Sequence, residues 1–166
     1  MWCTIPMINT INSLEQYNFH YPITIPKNNR IVLVGGCFDI LHFGHIQFLQ
    51  KAKEKGDYLI VALEPDERIL QDKKRTPAHP QQERAQNVLA LRSVDKVILL
   101  PLLQGFDDYK KLVHNIKPHV IAVTKDDPFL ENKKIQAQSV DAQCVIVTER
   151  IDPFSTTLIY QQLKNY

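Results

Sequence analysis

The chain has 166 residues, of which 44% are hydrophobic and 23% are charged, a balance typical of a folded domain and not of a disordered chain. With 20 basic against 18 acidic side chains the net charge is only +2, so the composition predicts no nucleic-acid partner. Three scattered cysteines make no disulfide framework. Since no segment has the roughly 20 apolar residues of a membrane helix or the pattern of a signal peptide, we expect a cytoplasmic protein with no membrane partner.

Strand-like and helix-like segments alternate along the chain. Short apolar runs predict strands at 31–34, 58–63, 97–100, 120–123 and 144–147. Apolar residues at helical spacing predict helices at 44–55, 81–93, 107–116, 130–141 and from Ser155 onward. Residues 64–80 are charged and contain three prolines, which indicates a loop or an irregular lid. The pattern predicts an α/β fold, a Rossmann-like doubly wound sheet of about five parallel strands with helices on both faces.

The first residues do not continue this alternation. We interpret residues 1–29 as an N-terminal extension that packs on the sheet edge, with a short helix from Ser13. Residues 30–166 then form the main domain, because no linker or repeat divides them.

The end of the first predicted strand combines glycines with histidines. Gly35 and Gly36 allow a tight turn and a close approach of the backbone to a phosphate. His42 and His45 are three residues apart where a helix opens, so they can share one face, and Gly44 leaves space between them. Unpaired N–H groups at the helix start favour anions. This segment therefore predicts an anion site with two imidazoles.

Other interpretations of this segment are weaker. It lacks the full glycine pattern of a dinucleotide-binding loop and that of a Walker loop. Cys37, His42 and His45 could suggest zinc, but no further Cys/His cluster supplies a fourth ligand. The histidines could also merely cap or pack the helix, although two of them around a glycine at a strand–helix junction favour a functional role.

Residues 36–45 read G-C-F-D-I-L-H-F-G-H and resemble the H-x-G-H nucleotidyltransferases, in their cytidylyltransferase-like branch. Residues 154–159 read F-S-T-T-L-I and resemble the second signature of that family, which opens its last helix. The resemblance extends from about residue 30 to the end. It implies an enzyme that transfers a nucleoside monophosphate from an NTP to a phosphorylated small molecule, such as a sugar or polyol phosphate, and releases pyrophosphate.

The resemblance also implies roles for individual residues. The implied catalytic residues are His42, His45, Lys73, Lys74 and Arg150. The implied nucleotide-binding residues are Gly35, Gly36, Cys37, Phe38, Asp39, Gly44, Asp126, Asp127, Phe154, Ser155, Thr156 and Thr157. Within this set we interpret Cys37 as a packing residue and not as a nucleophile. Mg²⁺ is expected to arrive on the triphosphate, without a cage of side chains, and the family implies a homodimer.

The nucleotide, ATP or CTP, and the acceptor stay open between subfamilies. Residues 74–77 (K-R-T-P) and 82–85 (Q-E-R-A) look most like the heptose-1-phosphate adenylyltransferases, which favours adenylyl transfer. Asp126 and Asp127 resemble a pair in the glycerol-3-phosphate cytidylyltransferases, and archaeal-type FAD synthetases share both signatures. Lys125 stands where a glycine normally precedes the acidic residue. A nucleotide-binding regulatory module without turnover is the alternative from another class.

Overall fold

The computed structural model describes residues 11–12, 28–149, 156 and 159–160. Its strands are β1 (Ile11–Asn12), β2 (Ile31–Gly36), β3 (Tyr58–Leu63), β4 (Lys96–Leu99), β5 (Val120–Thr124) and β6 (Gln143–Thr148). Its helices are α1 (Phe43–Lys53), α2 (Asp66–Lys73), α3 (Gln81–Leu89), α4 (Phe106–Ile116) and α5 (Leu130–Gln138). Thr156, Ile159 and Tyr160 are also helical, and Ser13 and Ser155 lie outside the described residues.

The strands form one parallel sheet in the order β1-β4-β3-β2-β5-β6. From β2 the chain moves outward through β3 to β4, then returns to place β5 on the other side of β2. The strand order therefore reverses between β2 and β5, where Val32 pairs with Val120 and Leu33 with Ile121. In doubly wound sheets, ligands bind at the carboxyl ends of the strands at such a reversal.

Helices cover both faces of the sheet, which confirms the predicted fold class. On one face, α1 and α3 contribute buried residues such as Leu49 and Val88 to a core with β2, β3 and β4. On the other, α4 and α5 pack against the same strands through residues such as Leu112 and Ala137. Since the central strands are buried on both sides, they need the continuous apolar runs seen in the sequence. No helix in the described part of the chain is long and apolar enough to cross a membrane.

The prediction of a loop or lid over residues 64–80 is wrong in its first half, where α2 forms. Pro65 is the N-cap residue of this helix, a place where its missing N–H costs nothing. Arg68 lies within 3.9 Å of both Glu64 and Asp72, one helical turn away on either side. Ile69 is fully buried and anchors the helix. Residues 74–80 have no helix or strand.

The sheet has one more strand than the sequence predicted. Ile11 and Asn12 pair in parallel with Val97 and Ile98, so this part of the N-terminal segment extends the sheet beyond β4. The alternation of strands and helices could not reveal it, because a strand of two residues has no periodicity. The division at residues 29 and 30 stays a prediction.

Candidate functional site

A cavity of about 380 Å³ lies at the carboxyl ends of β2 and β5, at the reversal of the strand order. We call it the histidine cavity. It is lined by Gly35, Gly36, Cys37, Phe38, His42, Gly44, His45, Phe48, Lys73, Ala122, Thr124, Asp127, Lys133, Thr148, Glu149 and Thr156. It therefore brings together most of the predicted site residues that the structure describes.

The two histidines form a stacked pair on one wall of the histidine cavity. Their ring centroids are 3.7 Å apart at an interplanar angle of 22°. His42 is the N-cap residue of α1, and the first turn of that helix holds no acidic side chain that would neutralise its positive end. The Nδ1 atoms of both rings are buried, and neither has a hydrogen-bond partner among the described residues. Apart from the hydrogen bond of His45 with the backbone of Ile40, the described residues leave the pair available to bond to a ligand.

Burial, above all, lowers the pKa of both histidines. The pKa of His45 falls to about 3, because desolvation is reinforced by His42 and by the ammonium group of Lys73. The pKa of His42 is lowered by desolvation and then by Lys73. Both imidazoles are consequently neutral near pH 7 without a ligand. An anion in the cavity would favour their charged forms and raise both pKa values.

Backbone geometry beside the histidines leaves room for an anion. Phe38 has a positive φ of 44° and is buried, and its ring lies edge-on to His45 at 5.1 Å. A Cβ at Gly36 would lie 2.8 Å from the Phe38 ring, so only glycine fits there. A Cβ at Gly35 would meet only the Ala62 carbonyl at 3.9 Å, so this backbone faces open space. Gly36 thus accommodates Phe38, while Gly35 is open to a ligand.

Asp39, predicted to bind nucleotide, holds a loop in place. Its side chain is buried and accepts hydrogen bonds from the Ala78 amide at 2.8 Å and from Arg75 at 2.5 Å. The Arg75 guanidinium also lies 3.8 Å from the centre of the Tyr160 ring. Asp39 therefore holds residues 75–78 next to the start of the site and acts as a positioning residue. Through Arg75 it is also connected to Tyr160.

Arg84 is the fully buried centre of a second network behind the histidine cavity. It donates to the carbonyl oxygens of Cys37 and Glu64, at the ends of β2 and β3, and to that of His79. It also forms an ion pair with Asp66 at 2.7 Å. One guanidinium thereby fixes the loops after two neighbouring strands and the start of α2.

The remaining predicted residues divide between the histidine cavity and the surface. Lys73, at the end of α2, lines the cavity, whereas Lys74 is exposed with a left-handed backbone and lines neither this cavity nor its neighbour. Asp127 lines the cavity, and Asp126 is exposed. Thr156 is buried and lines it. Arg150, Phe154, Ser155 and Thr157 lie outside the described residues, so their roles stay predictions.

Cys37 lines the histidine cavity at the end of β2. Burial, the largest influence, raises the pKa of its thiol. A raised pKa disfavours the thiolate, which is the nucleophilic form. This agrees with a packing role and gives no support to covalent catalysis.

Sequence reasoning missed Lys133, Thr124 and Glu149. Lys133 points from α5 to Asp127, 2.6 Å away. Glu149 lines the cavity and pairs at 2.7 Å with Lys125, which lines neither cavity. Lys133 lies one helical turn into α5 and belongs to no sequence motif. Only its spacing after Asp127 could have indicated that it belongs to the site.

A second cavity of about 470 Å³ adjoins the first, and we call it the apolar cavity. It is lined by Leu33, Val34, Gly35, Gly36, Cys37, Ala62, Glu64, Arg68, Asp72, Leu100, Gln104, Gly105, Phe106, Tyr109, Leu112, Val113, Ile121, Asp127, Pro128, Phe129, Asn132, Lys133 and Gln136. Five of these residues also line the histidine cavity: Gly35, Gly36, Cys37, Asp127 and Lys133. The two cavities therefore meet at the end of β2.

The described residues of the histidine cavity form no cage for a metal ion. Across the described residues, no group of three His, Cys, Asp or Glu side chains is placed to hold one. Cys37, His42 and His45 are not placed together as such a group.

Comparisons with known proteins show similarity to cytidylyltransferase-like proteins. A family model described as Cytidylyltransferase-like matches residues 33–162. The FAD synthase of Thermococcus kodakarensis is 47% identical over 98 residues, which are 59% of this chain and 64% of that protein. The match thus spans less than two thirds of that relative. The Bifunctional protein HldE of Nitratiruptor sp. is 33% identical over 140 residues, 84% of this chain and 29% of that protein.

A solved structure gives the same picture. The lipopolysaccharide core biosynthesis protein from Thermoplasma volcanium GSS1 superposes with a TM-score of 0.61 at 29% identity. The superposition covers 74% of this chain and 98% of that one. Nearly all of that protein therefore has a counterpart here.

Proposed function

The chain belongs to the cytidylyltransferase-like family, and on that premise we propose that it transfers the nucleoside monophosphate of an NTP to a phosphorylated small molecule. The observation that carries the proposal is the stacked pair of His42 and His45 beside the open backbone of Gly35. Two adjustable imidazoles, a helix N-terminus and Lys73 face one cavity. This is a set of groups suited to a triphosphate.

In the proposed reaction, an oxygen of the acceptor phosphate attacks the α-phosphorus of the NTP in line. A new P–O bond forms, the bond from the α-phosphorus to the bridging oxygen breaks, and pyrophosphate leaves with that electron pair. A phosphate oxygen is already ionised near pH 7, so the protein needs to supply no nucleophile. Catalysis then depends on positioning and on neutralising charge.

The described residues divide this task. His42 and His45 would donate hydrogen bonds to the α- and β-phosphates and gain protons as negative charge develops on the leaving group. Lys73 adds a fixed positive charge next to them. Lys133 lines both cavities, so it would neutralise phosphate where donor and acceptor meet. Mg²⁺ carried by the triphosphate would neutralise the β/γ end.

Two acceptors merit a test, both with adenylyl transfer from ATP. Flavin mononucleotide (FMN) is favoured by the similarity to a FAD synthase at 47% identity. Heptose-1-phosphate is favoured by the sequence at 74–77 and 82–85 and by the similarity to HldE over 84% of this chain. The cytidylyl transfer to glycerol-3-phosphate stays as a third prediction.

The test measures pyrophosphate release with ATP or CTP, each combined with FMN, heptose-1-phosphate or glycerol-3-phosphate, with Mg²⁺ present or chelated. We expect release from ATP with one acceptor, dependent on Mg²⁺. Binding of an NTP without release for any combination would overturn the proposal and favour a regulatory module.

We also propose, from family resemblance, a homodimer, and from the sparse cysteines a cytoplasmic location. Sedimentation at micromolar concentration tests the first: only a species of the monomer mass, 19.2 kDa, would contradict it. Localisation of a tagged chain tests the second.

A further inference from the structure

The apolar cavity is placed to hold the part of the acceptor that lies behind its reacting phosphate. Gly35, Gly36, Cys37, Asp127 and Lys133 form its border with the histidine cavity. Under the proposed function, the acceptor phosphate must reach the α-phosphate from that border. The rest of the acceptor then extends into the apolar cavity, whose volume of about 470 Å³ is typical of a site for a whole small molecule.

The walls of this cavity are largely apolar, which favours a ring over a sugar, although polar side chains such as Glu64, Gln104 and Asn132 also line it. The apolar residues include Leu33, Leu100, Phe106, Leu112, Ile121 and Phe129. A sugar carries a hydroxyl on nearly every carbon, and each hydroxyl buried without a partner costs free energy. A planar heteroaromatic ring buries its faces against aliphatic and aromatic side chains and needs hydrogen bonds only at its edge.

Two polar atoms in the apolar cavity form an ion pair but have no hydrogen bonds within the part of the chain that the structure describes. The Tyr109 hydroxyl donates to Glu64 Oε1 at 2.7 Å. Glu64 Oε2 and Arg68 Nε are buried and have no hydrogen-bond partner among the described residues, although they lie 3.9 Å apart. Buried polar atoms normally have hydrogen-bond partners, and this ion pair is too long for a hydrogen bond, so a ligand that bonds to both atoms would satisfy them.

This pair is complementary to an imide edge, in which an N–H lies next to a C=O. The Glu64 oxygen would accept the N–H, and the Arg68 nitrogen would donate to the C=O. The isoalloxazine ring of a flavin has this edge at the end far from its phosphate chain, and heptose-1-phosphate has none. We propose that the apolar cavity binds the ring of a flavin phosphate acceptor and that Glu64 and Arg68 recognise its imide edge. This rests on the proposed function, since flavin phosphate is one of its two acceptors.

The test measures the binding of FMN to the full chain in the absence of ATP. The quenching of flavin fluorescence reports the binding. Glu64→Gln keeps the shape of the side chain and the bond from Tyr109 but removes the charged acceptor. We expect its Kd for FMN to rise by roughly ten- to a hundred-fold, the usual effect of losing a hydrogen bond to a charged group. The Kd for ATP should stay within about two-fold, since Glu64 does not line the histidine cavity.

The matched control is Glu67→Gln, which changes the same residue type at an exposed position of α2. A second measurement changes the ligand instead of the protein, so it does not depend on the folding of a variant. FMN methylated at the imide nitrogen should bind the unaltered chain at least about ten-fold more weakly than FMN. In Glu64→Gln, methylation of FMN should weaken binding much less than it does in the unaltered chain, because the substitution and the methyl group remove the same hydrogen bond.

The outcomes separate this inference from the proposed function. Equal FMN affinity in the unaltered chain and Glu64→Gln, or indifference to methylation, would overturn the inference. So would pyrophosphate release with heptose-1-phosphate from a chain that binds no FMN, while the proposed function would stand. FMN binding that depends on Glu64 but yields no pyrophosphate with ATP would support the ring site and overturn the proposed transfer.

Discussion

The two cavities at the carboxyl edge of the sheet are assembled in different ways. The histidine cavity takes much of its lining from one continuous segment, residues 35–48. The apolar cavity takes its side chains from β2, β3, β5 and from helices α2, α4 and α5, with no motif in common. Under the proposed function, the general chemistry is concentrated in a short segment, whereas the choice of acceptor would depend on residues scattered over about a hundred positions.

The largest expected effect comes from Arg84, which supports both cavities at once. In Arg84→Met, the half-exposed Asp66 and the carbonyl oxygens of Cys37 and Glu64 lose their shared, fully buried donor. We expect the free energy of unfolding to fall by about 3–5 kcal/mol, because each buried carbonyl left without its donor costs about 1–3 kcal/mol. Urea denaturation measures this fall.

Arg92→Met provides the control, because Arg92 is exposed just after α3. It should change the free energy of unfolding by less than about 0.5 kcal/mol. If the two variants had the same free energy of unfolding, the network around Arg84 would not contribute to the stability of the fold. If Arg84→Met folds, we expect both ATP and FMN to bind more weakly, which would tie the two cavities to one support.

The next largest effect is a loss of kcat in His45→Ala, which should change the histidine cavity and leave the apolar cavity unaffected. His45→Ala removes a donor that acts on the developing charge, and such donors usually contribute about 2.7–4 kcal/mol, or 10²–10³ in kcat. The variant loses the hydrogen bond with the Ile40 backbone but no partner of Nδ1 among the described residues, so we expect the fold to survive. The Kd for FMN should stay unchanged, because His45 does not line the apolar cavity.

His114→Ala is the matched control, since His114 is an exposed histidine of α4 that lines neither cavity. Its kcat should equal that of the unaltered chain. Near-normal turnover in His45→Ala would remove the histidine pair from the mechanism. A parallel loss of FMN binding would show that the cavities are not independent.

A smaller effect is the contribution of His45, in the histidine cavity, to the dependence of stability on pH. The pKa of His45 is about 3 in the folded chain and 6.5 for an ordinary histidine, so between these values the unfolded chain binds more protons. Acidification therefore favours unfolding, by about 1.4 kcal/mol per pH unit for this one group. The stability is fully present above about pH 6.5 and falls as the pH decreases.

Comparing the unaltered chain with His45→Gln by urea denaturation at about pH 5 and pH 7 isolates this contribution. Between pH 7 and pH 5 the variant should lose about 2 kcal/mol less stability than the unaltered chain, because the slope of about 1.4 kcal/mol per pH unit applies only below about pH 6.5. Bound ATP should reduce the difference, because the triphosphate favours the protonated imidazole. Identical pH profiles would mean that His45 does not change its pKa on folding.

The contrast between the cavities also explains what the sequence could predict. The five main strands and the histidine segment depend on local patterns, apolar runs and a motif; the strands are confirmed, and the segment lines the histidine cavity. The helix α2 was missed because its prolines and charges are typical of loops, while its anchor, Ile69, is buried only through tertiary packing. Glu64 and Arg68 are ordinary charged residues in the sequence, and only the fold shows that they face an apolar cavity.

The smallest expected effect concerns Lys125, where the family pattern has a glycine. Lys125 is not among the residues with positive φ, so its backbone does not require glycine, and its exposed side chain pairs with Glu149 at 2.7 Å. In Lys125→Gly, the freed carboxylate of Glu149 faces the histidine cavity, so the KM for ATP should rise about two-fold at low salt and return to normal at high salt. The KM for the acceptor should not change, because neither residue lines the apolar cavity. A large change in the acceptor KM alone would instead connect Lys125 to acceptor choice and contradict the assignment of that choice to the apolar cavity.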